Sequence, residues 1–157
     1  MPEQPVIHST FNLERNYPSP AERVFAAFTT PEQKRRWYAD GRMMSVEEFQ
    51  MDFRVGGNEY ARYQMPMDSP LKGAHLTYKT NYLDIVPDQR IVLAYTLSVE
   101  DQRVSVSLVT FEFVPAENGT TLVFTEQGSF FENSGGAEMR KVGWGILLDK
   151  LGAALTQ

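Results

Sequence analysis

The chain of 157 residues has no cysteine and only two histidines, His8 and His75. Without thiols it can form no disulfide, no thiolate nucleophile and no zinc-thiolate cluster. The histidines lie far apart and show neither His-x-x-x-His nor Glu-x-x-His spacing, so no metal and no other cofactor is expected. His75 shares strand parity with Thr77, Lys79 and Asn81 and is expected to face solvent. No serine sits in a Gly-x-Ser-x-Gly elbow, and Gly56-Gly57 lacks the further glycines and the helix of a phosphate loop. A concentrated basic surface is also missing. The net charge is -5, and the densest basic cluster, Lys34-Arg35-Arg36, reads as a solvated helix face. Nucleic acid is therefore not an expected partner. No apolar run approaches the length of a membrane span, and Met1 to Pro5 have neither the basic start nor the apolar core of a signal peptide. A cytoplasmic protein that does not insert into membranes is expected.

What the sequence does contain is an ordinary globular composition, 42% hydrophobic and 22% charged. That suits a single domain over 1–157, with residues 1–5 expected to be disordered. Its clearest periodic segment is Ala137 to Leu155. There Trp144, Leu147, Leu148, Leu151, Ala154 and Leu155 repeat at helical spacing, with Arg140, Lys141, Asp149 and Lys150 as the polar remainder. Gly143, Gly145 and Gly152 interrupt this helix, each costing about 1 kcal/mol relative to alanine. Either the backbone approaches something closely there or space is left beside it. Counting back from Leu147 and Leu151 puts Gly143 on or beside the inner stripe.

The rest reads mainly as strands. Phe11, Leu13, Arg15 and Tyr17 alternate with polar residues and stop at Pro18. Ser19, Pro20 and Glu22 have the grammar of a capped helix carrying Val24, Phe25 and Phe28. Thr30, Pro31 and Gln33 repeat it for a second helix ending near Trp37. Strand-like runs follow over Val46 to Phe53, Asn58 to Met65, Gly73 to Val86, Arg90 to Val99, Val104 to Val114 and Thr121 to Gln127, with a loop over Ser129 to Gly136. Gly56-Gly57, Pro87-Asp88, Glu100-Asp101-Gln102 and Asn118-Gly119 mark the turns. The order predicts an α+β domain in which one helix covers one face of an antiparallel meander. Val104, Val106 and Leu108 show the alternation of a sheet with one packed and one wet face.

Several stretches together resemble the helix-grip START/SRPBCC superfamily, in particular its branch of heat-shock-protein ATPase activator homologues (AHSA-type). They are residues 19–32 with Trp37, Asp52-Phe53-Arg54-Val55-Gly56-Gly57, Ile85 to Val92, Thr125-Glu126-Gln127-Gly128, and Gly143-Trp144 before the leucine stripe. The resemblance implies a β-α-α-β(6)-α order, with a seven-stranded curved antiparallel sheet around a long C-terminal helix. It implies no single reaction, since carriers, binders and cyclases share this fold.

A curved sheet against a straight helix predicts a cavity, with a small apolar or amphipathic molecule as its ligand. The expected lining is Trp37, Tyr78, Tyr82, Tyr95, Phe111, Phe113, Gly143, Trp144 and Leu148. Glu126 shares strand parity with Leu122 and Phe124, so its carboxylate should lie on the apolar face and orient the ligand's polar end. Arg15 and Arg54 are candidate partners for it. A structural ion pair at Glu126 is the competing reading. Two other functions compete with ligand binding: a cyclase or hydrolase using Glu126 and a tyrosine, and a module that binds a chaperone. Phe130-Phe131, in the segment before the last helix, predict a lid, an interface or one ring tucked under the sheet edge, and with the open strand edges they suggest a homodimer.

Overall fold

The computed structural model describes residues 6–132 and 134–156, so the expectation of disorder at 1–5 lies outside the described residues. Strand β1 (Ile7–Tyr17) leads to the short helices α1 (Ala21–Ala26) and α2 (Pro31–Tyr38). Strands β2 (Ser45–Met51), β3 (Asn58–Gln64), β4 (His75–Val86), β5 (Arg90–Val99), β6 (Gln102–Ala116) and β7 (Gly119–Phe130) follow, and α3 (Gly136–Leu155) closes the chain. The sheet runs β1-β7-β6-β5-β4-β3-β2, so β2 to β7 form a meander and β1 returns to its far edge beside β7. Every pairing is antiparallel. Register shifts at Val46/Glu48, Tyr82/Asp84 and Leu97/Ser98 insert bulges, the devices that bend and twist a sheet.

Local chemistry explains most boundaries. Thr30 caps α2, its hydroxyl accepting the Gln33 N–H at 3.2 Å, with Pro31 opening the helix. Ser19 does not cap α1. Pro20 takes the cap position without a side-chain hydrogen bond, and the buried Ser19 offers its carbonyl to the Thr120 hydroxyl at 2.7 Å. The β6–β7 turn needs glycine because a Cβ at Gly119 would lie 1.9 Å from the Tyr17 carbonyl oxygen. Strand β7 continues through Phe130, where a loop was expected.

The helices share one face of the sheet. Trp144, Leu147, Leu148, Leu151 and Leu155 of α3 are buried there, as the stripe predicted. Phe28 packs edge-on against Trp37, Phe111 and Phe113, with centroids 4.9, 5.0 and 5.3 Å apart. Tyr17 donates its hydroxyl to the Leu148 carbonyl at 2.7 Å, and Arg15 pairs with Asp149 at 2.7 Å, fastening α3 to β1. On β6 the inward set is Ser105, Ser107, Val109, Phe111 and Phe113, while Val106 and Leu108 are exposed. The apolar alternation at Val106 and Leu108 thus marks the outer face, because the aromatic half of β6 decides which side the core takes.

Candidate functional site

The glycines of α3 separate into two kinds. Gly145 lies beside the Arg15 guanidinium, where a Cβ would sit 3.3 Å away, and Gly152 lies against the Tyr17 ring at 3.1 Å. Gly143 is exposed, and among the described residues a Cβ there meets nothing within 4 Å. Its expected position on the inner stripe is therefore corrected: the buried face runs through Trp144 and Arg140, which lie one turn apart.

Much of the expected cavity lining is packed core. Trp144 contacts Phe124, Phe111 and Tyr38 at centroid distances of 4.6, 5.8 and 5.9 Å, so rings fill the space beneath the middle of α3. Trp37 is fully buried and donates its indole N–H to the Ala27 carbonyl at 2.9 Å. Phe113 and Leu148 are likewise enclosed. Phe130 is in the core rather than in an exposed loop, so neither lid nor interface describes it. Its ring lies over Gly128, where a Cβ would come within 2.7 Å of it, and under the Arg140 guanidinium at 5.2 Å. Phe131 is half-buried. Phe130 therefore gives no motive for a homodimer; the half-buried Phe131 and the β1 and β2 edges remain as motives.

A row of cations and tyrosines crosses the inner face instead. Lys34 of α2 is buried, correcting its expected solvated position. Its ammonium pairs with Glu59 of β3 at 2.6 Å and lies 4.6 Å from the Tyr38 ring centre. The Tyr82 hydroxyl also donates to Glu59, so this tyrosine is committed to a structural pair. Arg42, in the α2–β2 connection, is half-buried and lies over Tyr38, Tyr63 and Tyr78 at 4.8, 4.8 and 5.7 Å. Tyr78 leans on Tyr95 with centroids 6.1 Å apart. Beyond Tyr95 comes Arg140 of α3.

Glu126 is fully buried, as strand parity predicted, and its partner is Arg140 at 3.2 Å. Arg15 and Arg54 are bound elsewhere, to Asp149 and Asp52. Tyr95 and Ser107 donate their hydroxyls to Glu126 Oε2 at 2.8 and 2.6 Å, and Arg140 donates to the same oxygen. Arg140 also donates to Ser105 at 2.8 Å, and the Trp144 indole N–H donates to the Tyr95 hydroxyl at 3.4 Å. Glu126 Oε1 is buried with no hydrogen-bond partner among the described residues. Burial pushes the Glu126 carboxyl above its ordinary pKa of 4.5, opposed by Arg140 and the hydroxyl donors. Burial and the neighbouring carboxylate raise the Tyr95 hydroxyl.

Sequence reasoning missed Arg42, Glu59 and Tyr38, and read Lys34 as solvated. Arg140 was findable, since it stands four residues before Trp144 on the same helical face. Arg42 carries no periodic signal. His75 is half-buried between Glu47 and Glu100, at 3.5 and 3.2 Å, and does not simply face solvent. Among the described residues no group of three or more His, Asp or Glu could hold a metal. No helix there is long and apolar enough to cross a membrane.

Open clefts flank this interior. One of about 590 Å³ lies on the outer face against Asn58, Lys79, Thr96 and Val106. Another of about 760 Å³ is lined by Leu71, Val99, Glu100, Asp101, Gln102 and Gly135, where the β5–β6 turn meets the start of α3. Through Val99 it borders the cluster of Leu76, Leu97 and Val104, against which Tyr78 and Met44 also pack.

Residues 18–156 match the family described as Activator of Hsp90 ATPase homolog 1-like protein. The chain belongs to that family. Solved relatives of this fold agree over nearly the whole length. The Mll3558 protein of Rhizobium loti is 43% identical, with 96% of this chain and 99% of that one covered at a TM-score of 0.85. An uncharacterised Rhizobium leguminosarum protein is 36% identical, with 97% of each chain covered at 0.87. The AHSA1-like protein of Aeromonas hydrophila, at 18% identity, 94% and 92% coverage and a TM-score of 0.67, shares the fold alone. No curated protein matches the sequence. These AHSA1-like relatives share the helix-grip fold predicted from the sequence, a seven-stranded antiparallel sheet with the C-terminal helix packed on it.

Proposed function

We propose that this AHSA1-like protein binds a small amphipathic molecule on the inner face of the sheet, under the first half of α3. The ligand enters beside the β5–β6 turn, and its polar end offers a hydrogen-bond donor to Glu126. The observation that carries this reading is Glu126 Oε1. An undonated buried carboxylate oxygen costs about 1–3 kcal/mol or more, and such groups call for a partner. The half-buried Tyr78 and the apolar Leu76, Leu97 and Val104 supply the wall beside it.

An acid–base role for Glu126 has less support, because Arg140, Tyr95 and Ser107 all bond one of its oxygens and burial raises the tyrosine hydroxyl. The chaperone reading rests on the family's description alone. Incubation with a lipid and metabolite extract, followed by native mass spectrometry, tests the proposal. A retained small molecule, lost in Glu126→Gln, is expected; a chain that emerges with no added mass from every fraction contradicts it.

A further inference from the structure

The inner face carries one positive charge too many. Its cations are Lys34, Arg42 and Arg140; its carboxylates are Glu59, paired with Lys34, and Glu126, paired with Arg140. That leaves Arg42, and among the described residues no carboxylate lies within 4 Å of it. Arg15, Arg35, Arg54, Arg62, Arg90 and Arg140 each pair with an acid, and the chain as a whole is acidic at -5. Arg42 is nevertheless held in place. Its Nε donates to the Tyr38 carbonyl at 2.6 Å, and three tyrosine rings surround the guanidinium. Burial works to lower its pKa, but the net shift is upward, through the phenols of Tyr78, Tyr63 and Tyr38 and a side-chain hydrogen bond with Tyr78, and the guanidinium stays charged. A guanidinium has five N–H donors, and its planar fork matches a carboxylate or phosphate. One polar atom of the same cage lacks a partner: the hydroxyl of Tyr63, whose ring is fully buried, has no hydrogen-bond partner among the described residues.

We infer that Arg42 and the Tyr63 hydroxyl form a second polar subsite, for an anionic group, so that the ligand is an amphipathic acid that also carries the hydrogen-bond donor for Glu126. Both atoms would be satisfied by one oxyanion, the cation by a charge-assisted pair and the phenol by donating to an oxygen. The apolar body of the ligand then lies along Met44 and Leu76, which join the cage through Tyr78. This inference rests on the binding reading above and supplies the chemical class of its ligand.

The test compares octanoate with 1-octanol, of equal chain length, by calorimetric titration of the full chain. Wild type is expected to bind octanoate at least about tenfold more tightly, the size of effect a charge-assisted hydrogen bond gives. In Arg42→Gln the ratio should fall close to one. Arg42→Lys, which keeps the charge and loses the fork, should retain a smaller preference, and it serves if the glutamine variant does not fold. Arg54→Gln, at an exposed surface pair, makes the same change in net charge and should leave the ratio unaltered. Equal binding of both probes to wild type overturns the anionic subsite while leaving the binding reading intact. A preference that survives in Arg42→Gln overturns the assignment to Arg42. Failure of both probes to bind overturns the inference, while the binding reading is decided by the extract and native mass spectrometry.

Discussion

At the residue scale, the inner face depends on charges taken out of water. Lys34 and Glu59 are both almost fully enclosed, and removing one partner leaves the other uncompensated. Lys34→Met should therefore destabilise by about 3–5 kcal/mol in urea unfolding, and adding Glu59→Leu should recover most of that loss. Glu126 gives a pH dependence. Its folded pKa lies above the ordinary 4.5, so the folded state binds the proton more tightly than the unfolded chain. The stability from this group is complete below the ordinary value and is lost as pH rises through the raised one. Glu126→Gln has no such loss. Relative to wild type, the variant should gain stability as pH increases across that window, which melting curves at several pH values will show. Parity made the burial of Glu126 readable, since Leu122 and Phe124 share its side. Its partner was less so, because Arg140 comes from another element and only the packing of α3 brings it across β7.

At the element scale, α3 shows where a helical pattern is informative and where it stops. The stripe of large residues identified the buried face through Trp144, Leu148 and Leu151. Glycine was ambiguous, since close contact and solvent exposure both tolerate a missing side chain. Gly152 meets the Tyr17 ring, and among the described residues Gly143 meets nothing. Gly143→Ala should thus raise stability by about 1 kcal/mol through helix propensity alone. That corresponds to about 2–4 °C in Tm for a domain of this size. Gly152→Ala gains the same propensity but presses a methyl group on a buried ring, so its Tm should stay level or fall. Thermal melts of the two variants side by side check the contrast; equal increases would contradict the assigned faces. Strand β7 extends past the run of apolar residues because Gly128 makes room for the Phe130 ring, a tertiary fit that no local pattern reveals.

At the scale of the whole molecule, the meander and its covering helix follow from hairpin signals and alternation, and the family relation agrees with them. The interior was less legible. Aromatic residues read as cavity walls, such as Trp37, Phe111 and Trp144, are packed against each other. The cationic row assembles from α2 with the connection that follows it and from α3, far along the sequence; Lys34 read as solvated and Arg42 carries no periodic signal. The central claim is that this row, under the first half of α3, is where a ligand binds. Titration with octanoate, followed by NMR of the backbone amides and of the arginine Nε–H and tyrosine ring signals, tests it most directly. The account predicts saturable shifts at Arg42, Tyr63, Tyr78 and Arg140, with the outer strand face unchanged. Shifts confined to Ala94, Thr96, Val106 and Leu108, on the outer face of the sheet, would contradict it.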